Sequence, residues 1–214
     1  MSSISVLIPI GSMTLTDQKE YRLKALSAGF ARSHKSGVGK ILPEEISGFD
    51  SLGTQAKINA VYQKLLTGWV PHEIDVHELQ NLAADVTAAP AVNDWLTAAL
   101  AVVGTAYSCF QAVNPTVPAN KLHVYWKVSV ETVPPPVNWL TFRTQGAVGN
   151  VVGLFDLSML YTRQDTEGYF SEPIVYDPTT PYAVQATARI ATGLAARVIL
   201  GAYVFEPANT TVTR

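Results

Sequence analysis

The spacing of apolar residues along the chain changes near residue 115. Before that point, apolar residues recur every three or four positions, which is the period of an amphipathic helix. After it, they alternate with polar residues or form short runs between prolines, as in β-strands. We therefore predict an α+β protein with a helical N-terminal half followed by an antiparallel β-sandwich or jelly-roll-like C-terminal half. Residues 1–114 would be the mainly helical region and residues 115–214 the antiparallel β region, a division that is compatible with one continuous domain.

The pattern predicts about four helices in the N-terminal half. The first runs from about Asp17 to Ser33, and Thr14 and Asp17 fit a capping box at its start. The others cover about 54–69, 75–88 and 95–113, and each ends near a glycine or a proline. The 95–113 segment contains no charged residue, but its alanine, glycine and hydroxyl-bearing residues favour a buried helix over a membrane span.

The most regular strand pattern lies between Lys121 and Val133. Its apolar residues share one predicted face: Leu122, Val124, Trp126, Val128 and Val130. The opposite face carries His123 and Tyr125 among polar residues, and we interpret His123 as a surface or interface histidine. Three prolines at 134–136 end the strand, because proline has no N–H to donate to a neighbouring strand. Further strands are predicted at about 138–144, 151–162, 173–176, 182–191 and 197–205.

The composition shows a shortage of charge. Charged residues make up 15% of the 214 residues and the net charge is −2, whereas a typical soluble domain has about 25% charged residues. The surface of a free monomer would therefore be thinly charged, and burial in subunit contacts is one physical explanation. The single cysteine, Cys109, excludes an intrachain disulfide, and its apolar neighbours indicate a structural thiol.

Charge is also divided unevenly along the chain. Residues 19–40 contain six basic residues and one acidic residue, whereas residues 41–86 contain seven acidic and two basic residues. The basic segment offers a candidate contact with nucleic acid or another polyanion through five side chains: Arg22, Lys24, Arg32, Lys35 and Lys40. The glycine-containing part at 33–40 lacks the spacing of a phosphate-binding loop, and for this part we favour a solvated connector between helices over a polyanion contact.

The residue types that carry catalysis or bind metals do not fall into known patterns. His72 and His77 are five residues apart, whereas a helical zinc site needs a spacing of four. The chain has no Gly-x-Ser-x-Gly motif that could combine with His123, and the carboxylates Asp165 and Glu167 lie in a polar turn. We therefore predict no catalytic, cofactor-binding or metal site.

These features favour a non-enzymatic, self-assembling structural protein, most of all a viral coat or capsid subunit that forms a shell or filament. Its main partner would be further copies of itself, with nucleic acid as a second partner and a membrane disfavoured. The candidate subunit-interface residues are aromatic, since aromatic side chains are enriched at interfaces: Trp139, Tyr182 and Tyr203.

Two other function classes remain open from the sequence. One is a membrane-active, pore-forming protein that uses the 95–113 helix or the uncharged 147–155 segment. The other is an enzyme on an unrecognised scaffold. Because no secretory signal is visible, we expect the protein in the virion or the host cytoplasm.

Overall fold

The structure is a computed structural model, and it describes residues 6–35, 49–57, 69–75, 97, 99–110, 115–119, 121–131 and 134–207. The strands in these residues are β1 (Leu7–Pro9), β2 (Trp69–Asp75), β3 (Ala106–Ser108), β4 (Leu122–Val130), β5 (Val137–Thr144), β6 (Val151–Asp156), β7 (Glu167–Tyr176), β8 (Tyr182–Ala188) and β9 (Val198–Pro207). The helices are α1 (Leu15–Lys35) and α2 (Ser158–Arg163), with 3-10 turns at Ile10–Ser12 and Phe49–Ser51 and a helical turn at 54–57.

The strands form two antiparallel sheets that pack face to face. One sheet has the strand order β1-β7-β4-β9-β2, and the other has the order β3-β8-β5-β6. The pairing is nested, because β6 pairs with β5, β7 with β4, β8 with β3 and β9 with β2. A long antiparallel hairpin that is folded over into two sheets in this way has the topology of a jelly roll.

The predicted helical N-terminal half is wrong. The described residues before 115 contain one long helix and three strands, and each of these strands pairs with a strand that follows residue 115. Both Trp69, the predicted end of the second helix, and Asp75, the predicted start of the third, belong to β2. Residues 58–68 and 76–88 of these two predicted helices lie outside the described residues. The protein is therefore mostly β in its described part.

The helix predicted at 95–113 is not formed by the described residues of that range. Residues 99–105 follow an irregular path, and Ala106–Ser108 form β3. Gly104 has a φ of +79°, which a helix cannot contain, and the two valines before it are β-branched residues with low helix propensity. Pairing of β3 with β8 thus outweighs the helical spacing of the apolar residues.

The first predicted helix is present as α1, which extends two residues further at each end. Its start is a capping arrangement, in which the Thr14 N–H and hydroxyl donate to the Asp17 carboxylate at 2.8 and 2.7 Å. The Asp17 N–H in turn donates to the Thr14 hydroxyl at 3.2 Å. The hydrogen bonds from Thr14 lower the pKa of Asp17 below its usual value.

The apolar face of α1 packs on the outer face of the five-stranded sheet. Ala25, Leu26 and Phe30 form a buried cluster with residues of β4, β7 and β9: Leu122, Val124, Trp126, Tyr169, Tyr203 and Phe205. The rings of Phe30 and Phe205 meet edge to face, with 4.9 Å between their centroids. As a result, this sheet is buried on both faces, by α1 on one side and by the second sheet on the other.

A β-bulge in β4 divides the apolar stripe that the sequence predicts for this strand. The register of β4 against both of its neighbours shifts between Tyr125 and Lys127. Up to and including Trp126 in the bulge, the apolar residues belong to the cluster beneath α1: Leu122, Val124 and Trp126. After the shift, Val128 and Val130 belong to the cluster between the sheets. His123 and Tyr125, predicted on a polar face, are therefore buried between the sheets.

Replacement of Gly29 by valine should lower the free energy of unfolding by about 2 kcal/mol, because overpacking a core costs about 1–3 kcal/mol. A Cβ atom at Gly29 would overlap the buried ring of Phe205. Ala31→Leu adds volume at an exposed position of the same helix, where changes stay within about 0.5 kcal/mol. Urea denaturation of the three proteins measures the difference, and equal stability of the wild type and G29V would contradict this packing of α1.

Candidate surface for subunit contacts

One end of the sandwich carries four exposed aliphatic side chains on two adjoining loops. Val102 and Val103 precede β3 and are each 59% exposed, while Ile190 and Leu194, between β8 and β9, are 43% and 72% exposed. We call these four residues the apolar loop end. Single exposed aliphatic residues are common on protein surfaces, but four on adjoining loops mark a candidate contact site.

Backbone hydrogen bonds hold these two loops side by side. The Leu100 N–H donates to the Leu194 carbonyl at 2.9 Å, and the Gly193 N–H donates to the Leu100 carbonyl at 3.1 Å. The Gly104 N–H donates to the Ala188 carbonyl at 2.8 Å. Gly193 and Gly104 both have a positive φ, of 66° and 79°, which allows these tight turns. The aliphatic side chains therefore project from a braced backbone.

The side chain of Tyr107 also holds the loop that precedes β3. The hydroxyl oxygen of Tyr107 accepts hydrogen bonds from the N–H groups of Ala101 and Val102, both at 3.0 Å. The Tyr107 ring packs against the buried cluster between the sheets. The position of Val102 is thus fixed to the core of the sandwich, which lowers the entropy that an intermolecular contact at this loop would cost.

Charge is absent from the centre of this surface and present at its edge. The chain has no charged residue from Thr97 to Phe110. The guanidinium of Arg189 donates from Nε to the Pro135 carbonyl at 3.0 Å, and Arg197 forms an ion pair with Glu131 at 3.4 Å. An apolar centre with a polar rim is the arrangement that protein–protein interfaces commonly have.

The opposite end of the sandwich offers a useful contrast. Val148, in the turn between β5 and β6, is 96% exposed, and the N–H of Gln145 at the start of this turn donates to the Pro181 carbonyl at 2.7 Å. No other aliphatic residue of this turn is exposed to that extent among the described residues. The segment 147–155, considered above for membrane insertion, forms this turn and most of β6, where it pairs with β5.

The three aromatic residues predicted at a subunit interface have different positions. Tyr182 and Tyr203 are 2% and 0% exposed, so they stabilise the fold of their own chain and present no surface to a neighbour. Trp139 is half-buried on β5, where it pairs with Asp156 of β6 and Thr187 of β8. Trp139 is therefore the member of this set for which an interface role stays a prediction.

The predicted polyanion-contacting residues of α1 face acidic groups of the sheets. Arg22 pairs with Glu73 of β2 and donates from Nε to the Tyr203 hydroxyl at 2.5 Å. Lys24 donates to Glu172 of β7 at 2.6 Å and to the Ser171 carbonyl at 2.7 Å. These pairs neutralise much of the positive charge of α1 within the chain itself.

Arg32 makes the most complete of these pairs. Its Nε and a terminal nitrogen donate to the two Asp177 oxygens at 2.6 and 2.5 Å, a bidentate arrangement. The hydrogen bond to Asp177 raises the pKa of Arg32 further above its usual value. Lys40 and the side chain of Lys35 lie outside the described residues. Contact of residues 19–40 with nucleic acid stays a prediction.

Two sequence interpretations of reactive groups can be compared with the structure. Cys109 is 1% exposed and burial raises the pKa of its thiol to about 12, which confirms a structural role. The interpretation of His123 as a surface or interface histidine is wrong, because it is 1% exposed within its own chain on β4. The described residues contain no group of three His, Cys, Asp or Glu side chains placed to hold a metal ion.

Comparison with known proteins gives no family for this chain: no protein-family model and no curated protein sequence matches it. In the described part of the chain, no helix combines the length and the apolar character that a membrane span requires. The function therefore has to be argued from the fold and its surfaces.

Replacing Arg32 by glutamate should lower the free energy of unfolding by about 1 kcal/mol, since it removes the bidentate pair and places two like charges together. The two side chains of the pair are 47% and 37% exposed, so solvent screening limits the effect. Adding Asp177→Arg to R32E should restore most of the loss. Urea denaturation at low and high salt measures the loss of stability in R32E and its recovery in the double variant. A double variant no more stable than R32E would show that the pair does not form.

Proposed function

We propose that this protein is a non-enzymatic, self-assembling structural protein, and most specifically a viral coat subunit that forms a shell or filament. The apolar loop end, with its charged rim, is the observation that carries the proposal. Its side chains are aliphatic, so they offer no hydrogen bonds to a sugar or another polar ligand, and they are suited to a contact with another apolar protein surface.

The fold supports the same proposal but does not decide it. Viral capsid proteins are one group of jelly rolls, and lectin and cupin domains are others. Because one fold can carry unrelated functions, the surface has to separate these groups. The low charge content, the braced loops and the aliphatic side chains at one end together favour assembly of like subunits over ligand binding.

Self-contact at one end of a sandwich is suited to closed symmetry. When the same patch of each copy meets its equivalents around an axis, the contact area per subunit is small but repeats with every copy. A subunit with such an end, and with further contacts elsewhere, can build a large particle from weak individual contacts. The proposal therefore predicts particles that contain many copies.

Purified full-length protein should form large particles whose fraction rises with concentration. Dynamic light scattering measures their size, and negative-stain microscopy distinguishes a shell from a filament. A well-behaved monomer at every concentration tested would contradict the proposal.

The double variant Val103→Asp with Leu194→Asp should raise the concentration needed for assembly at least about tenfold, since a loss of about 1.4 kcal/mol per contact is enough for that change. Two carboxylates placed in an apolar contact would lose hydration without gaining partners. Val148→Asp is the matched control, because it makes the same change at a fully exposed aliphatic residue of the opposite end.

Comparison of the double variant with V148D tests where the contact lies, separately from whether the protein assembles. Particles that are lost in the double variant and kept in V148D assign the contact to the apolar loop end. If a correctly folded double variant assembles as the wild type does, the apolar loop end is not the contact surface. Circular dichroism and urea denaturation confirm that each variant is folded.

A further inference from the structure

The imidazole of His123 lies between the two sheets without a hydrogen-bond partner. The residue is 1% exposed, and neither of its ring nitrogens is bonded to any group in the described part of the chain. Most buried polar groups in proteins are hydrogen-bonded, because an unpaired one retains the full cost of leaving water. A leucine or phenylalanine would avoid this cost at the same position.

Aromatic rings from both sheets surround His123. Tyr125 of β4 and Tyr182 of β8 each meet the imidazole edge to face, with centroids 6.3 and 6.1 Å away. The hydroxyl groups of these two tyrosines form a hydrogen bond of 3.0 Å, which joins the sheets beside the imidazole. Tyr176 of β7 pairs with His123 in register and stacks on Tyr182, with 4.6 Å between the ring centroids.

The ionisable groups near His123 favour its neutral form. Burial raises the pKa of Tyr176, so this neighbour offers no negative charge at neutral pH. Lys121, just before β4, adds a positive charge that opposes a second one on the imidazole. Burial and the charge of Lys121 together lower the pKa of His123 to about 3.

A carboxylate lies further along the neighbouring strand. Val204 of β9 pairs with His123, and the next ionisable side chain on that strand is Glu206. Glu206 is 4% exposed and makes an interaction of its own. Glu206 accepts no hydrogen bond from the imidazole, because neither ring nitrogen of His123 is bonded in the described part of the chain.

We propose that His123 is a proton-sensitive element that weakens the join between the two sheets as the solution becomes mildly acidic. The inference concerns the folded subunit and goes beyond assembly, so it holds whether or not copies associate. Protonation would place a positive charge between Tyr125 and Tyr182, on an imidazole that makes no hydrogen bond in the described surroundings and is repelled by the charge of Lys121. The sandwich can relieve this only by admitting water between the sheets or by opening locally at this end.

The direction of the pH dependence follows from proton binding. An unfolded chain binds a proton at its histidine near the ordinary pKa of about 6.5, whereas the folded chain resists protonation of His123 until about pH 3. Above pH 6.5 both states are neutral at this residue, and stability is at its full value. As the pH falls below about 6.5, the folding equilibrium constant falls by up to about tenfold per pH unit.

Urea denaturation of the full chain at pH 7, 6 and 5 tests the proposal. His123→Phe keeps an aromatic ring among its aromatic neighbours and removes the two nitrogens. Between pH 6 and 5, we expect the folding equilibrium constant of the wild type to fall by up to about tenfold more than that of H123F. The control His34→Gln, at the end of α1, should follow the wild type. Equal falls in the wild type and H123F would overturn the proposal.

A second measurement does not depend on the folding of H123F. The chain has four histidines, and replacing His34, His72 and His77 by glutamine leaves His123 as the only one. Its ring signals in NMR spectra report its protonation directly. Signals of a neutral imidazole in the folded protein down to pH 5 support the proposal, and a titration midpoint near pH 6.5 in the folded protein overturns it.

Discussion

The burial of β4 on both of its faces is the constraint on which the rest of the structure depends. A strand that is buried on both faces needs apolar side chains on both of them. The alternating pattern in β4 supplies one main apolar stripe, which is enough for a single face. The β-bulge between Tyr125 and Lys127 shifts the later part of that stripe from the outer face to the inner face. One extra residue thus allows the same strand to meet α1 first and the second sheet afterwards.

The same constraint explains why α1 carries so many basic residues. The helix covers an apolar sheet face, and carboxylates of β2 and β7 and of the turn after β7 surround that face: Glu73, Glu172 and Asp177. Arg22, Lys24 and Arg32 reach them from the edges of the helix, and these partly exposed ion pairs add modestly to the apolar packing that holds the helix on the sheet. The opposite charges of residues 19–40 and 41–86 are therefore explained in part by a contact within the chain, between Arg22 and Glu73.

Local signals in the sequence predicted those elements that carry a clear apolar pattern or capping residues of their own, although their packing partners are distant in the sequence. α1 has its own capping residues and apolar stripe, and β4, β5, β8 and β9 have alternating or continuous apolar residues close to the predicted bounds. The strands β1 and β3 have three residues each and β2 contains a proline, so none of them shows an alternating pattern, and only pairing with a distant strand defines them. The helical spacing of apolar residues in 95–113 led to a wrong helix prediction for the same reason, because β3 in this segment is defined by its pairing with β8. The burial of His123 could not be foreseen, because it requires both the bulge and the second sheet.

The shortage of charge noted in the composition has a definite place in this fold. The five-stranded sheet has its outer face beneath α1, and three ion pairs join this helix to the sheet and to the turn after β7. The loops around Val103 and Leu194, by contrast, combine exposed aliphatic side chains with a backbone that hydrogen bonds hold in place. A braced apolar surface loses little conformational entropy when it is covered, whereas a mobile loop of the same composition would lose more. For this reason the end of the sandwich, more than either sheet face, is the part of the described structure best suited to meet another copy of the chain.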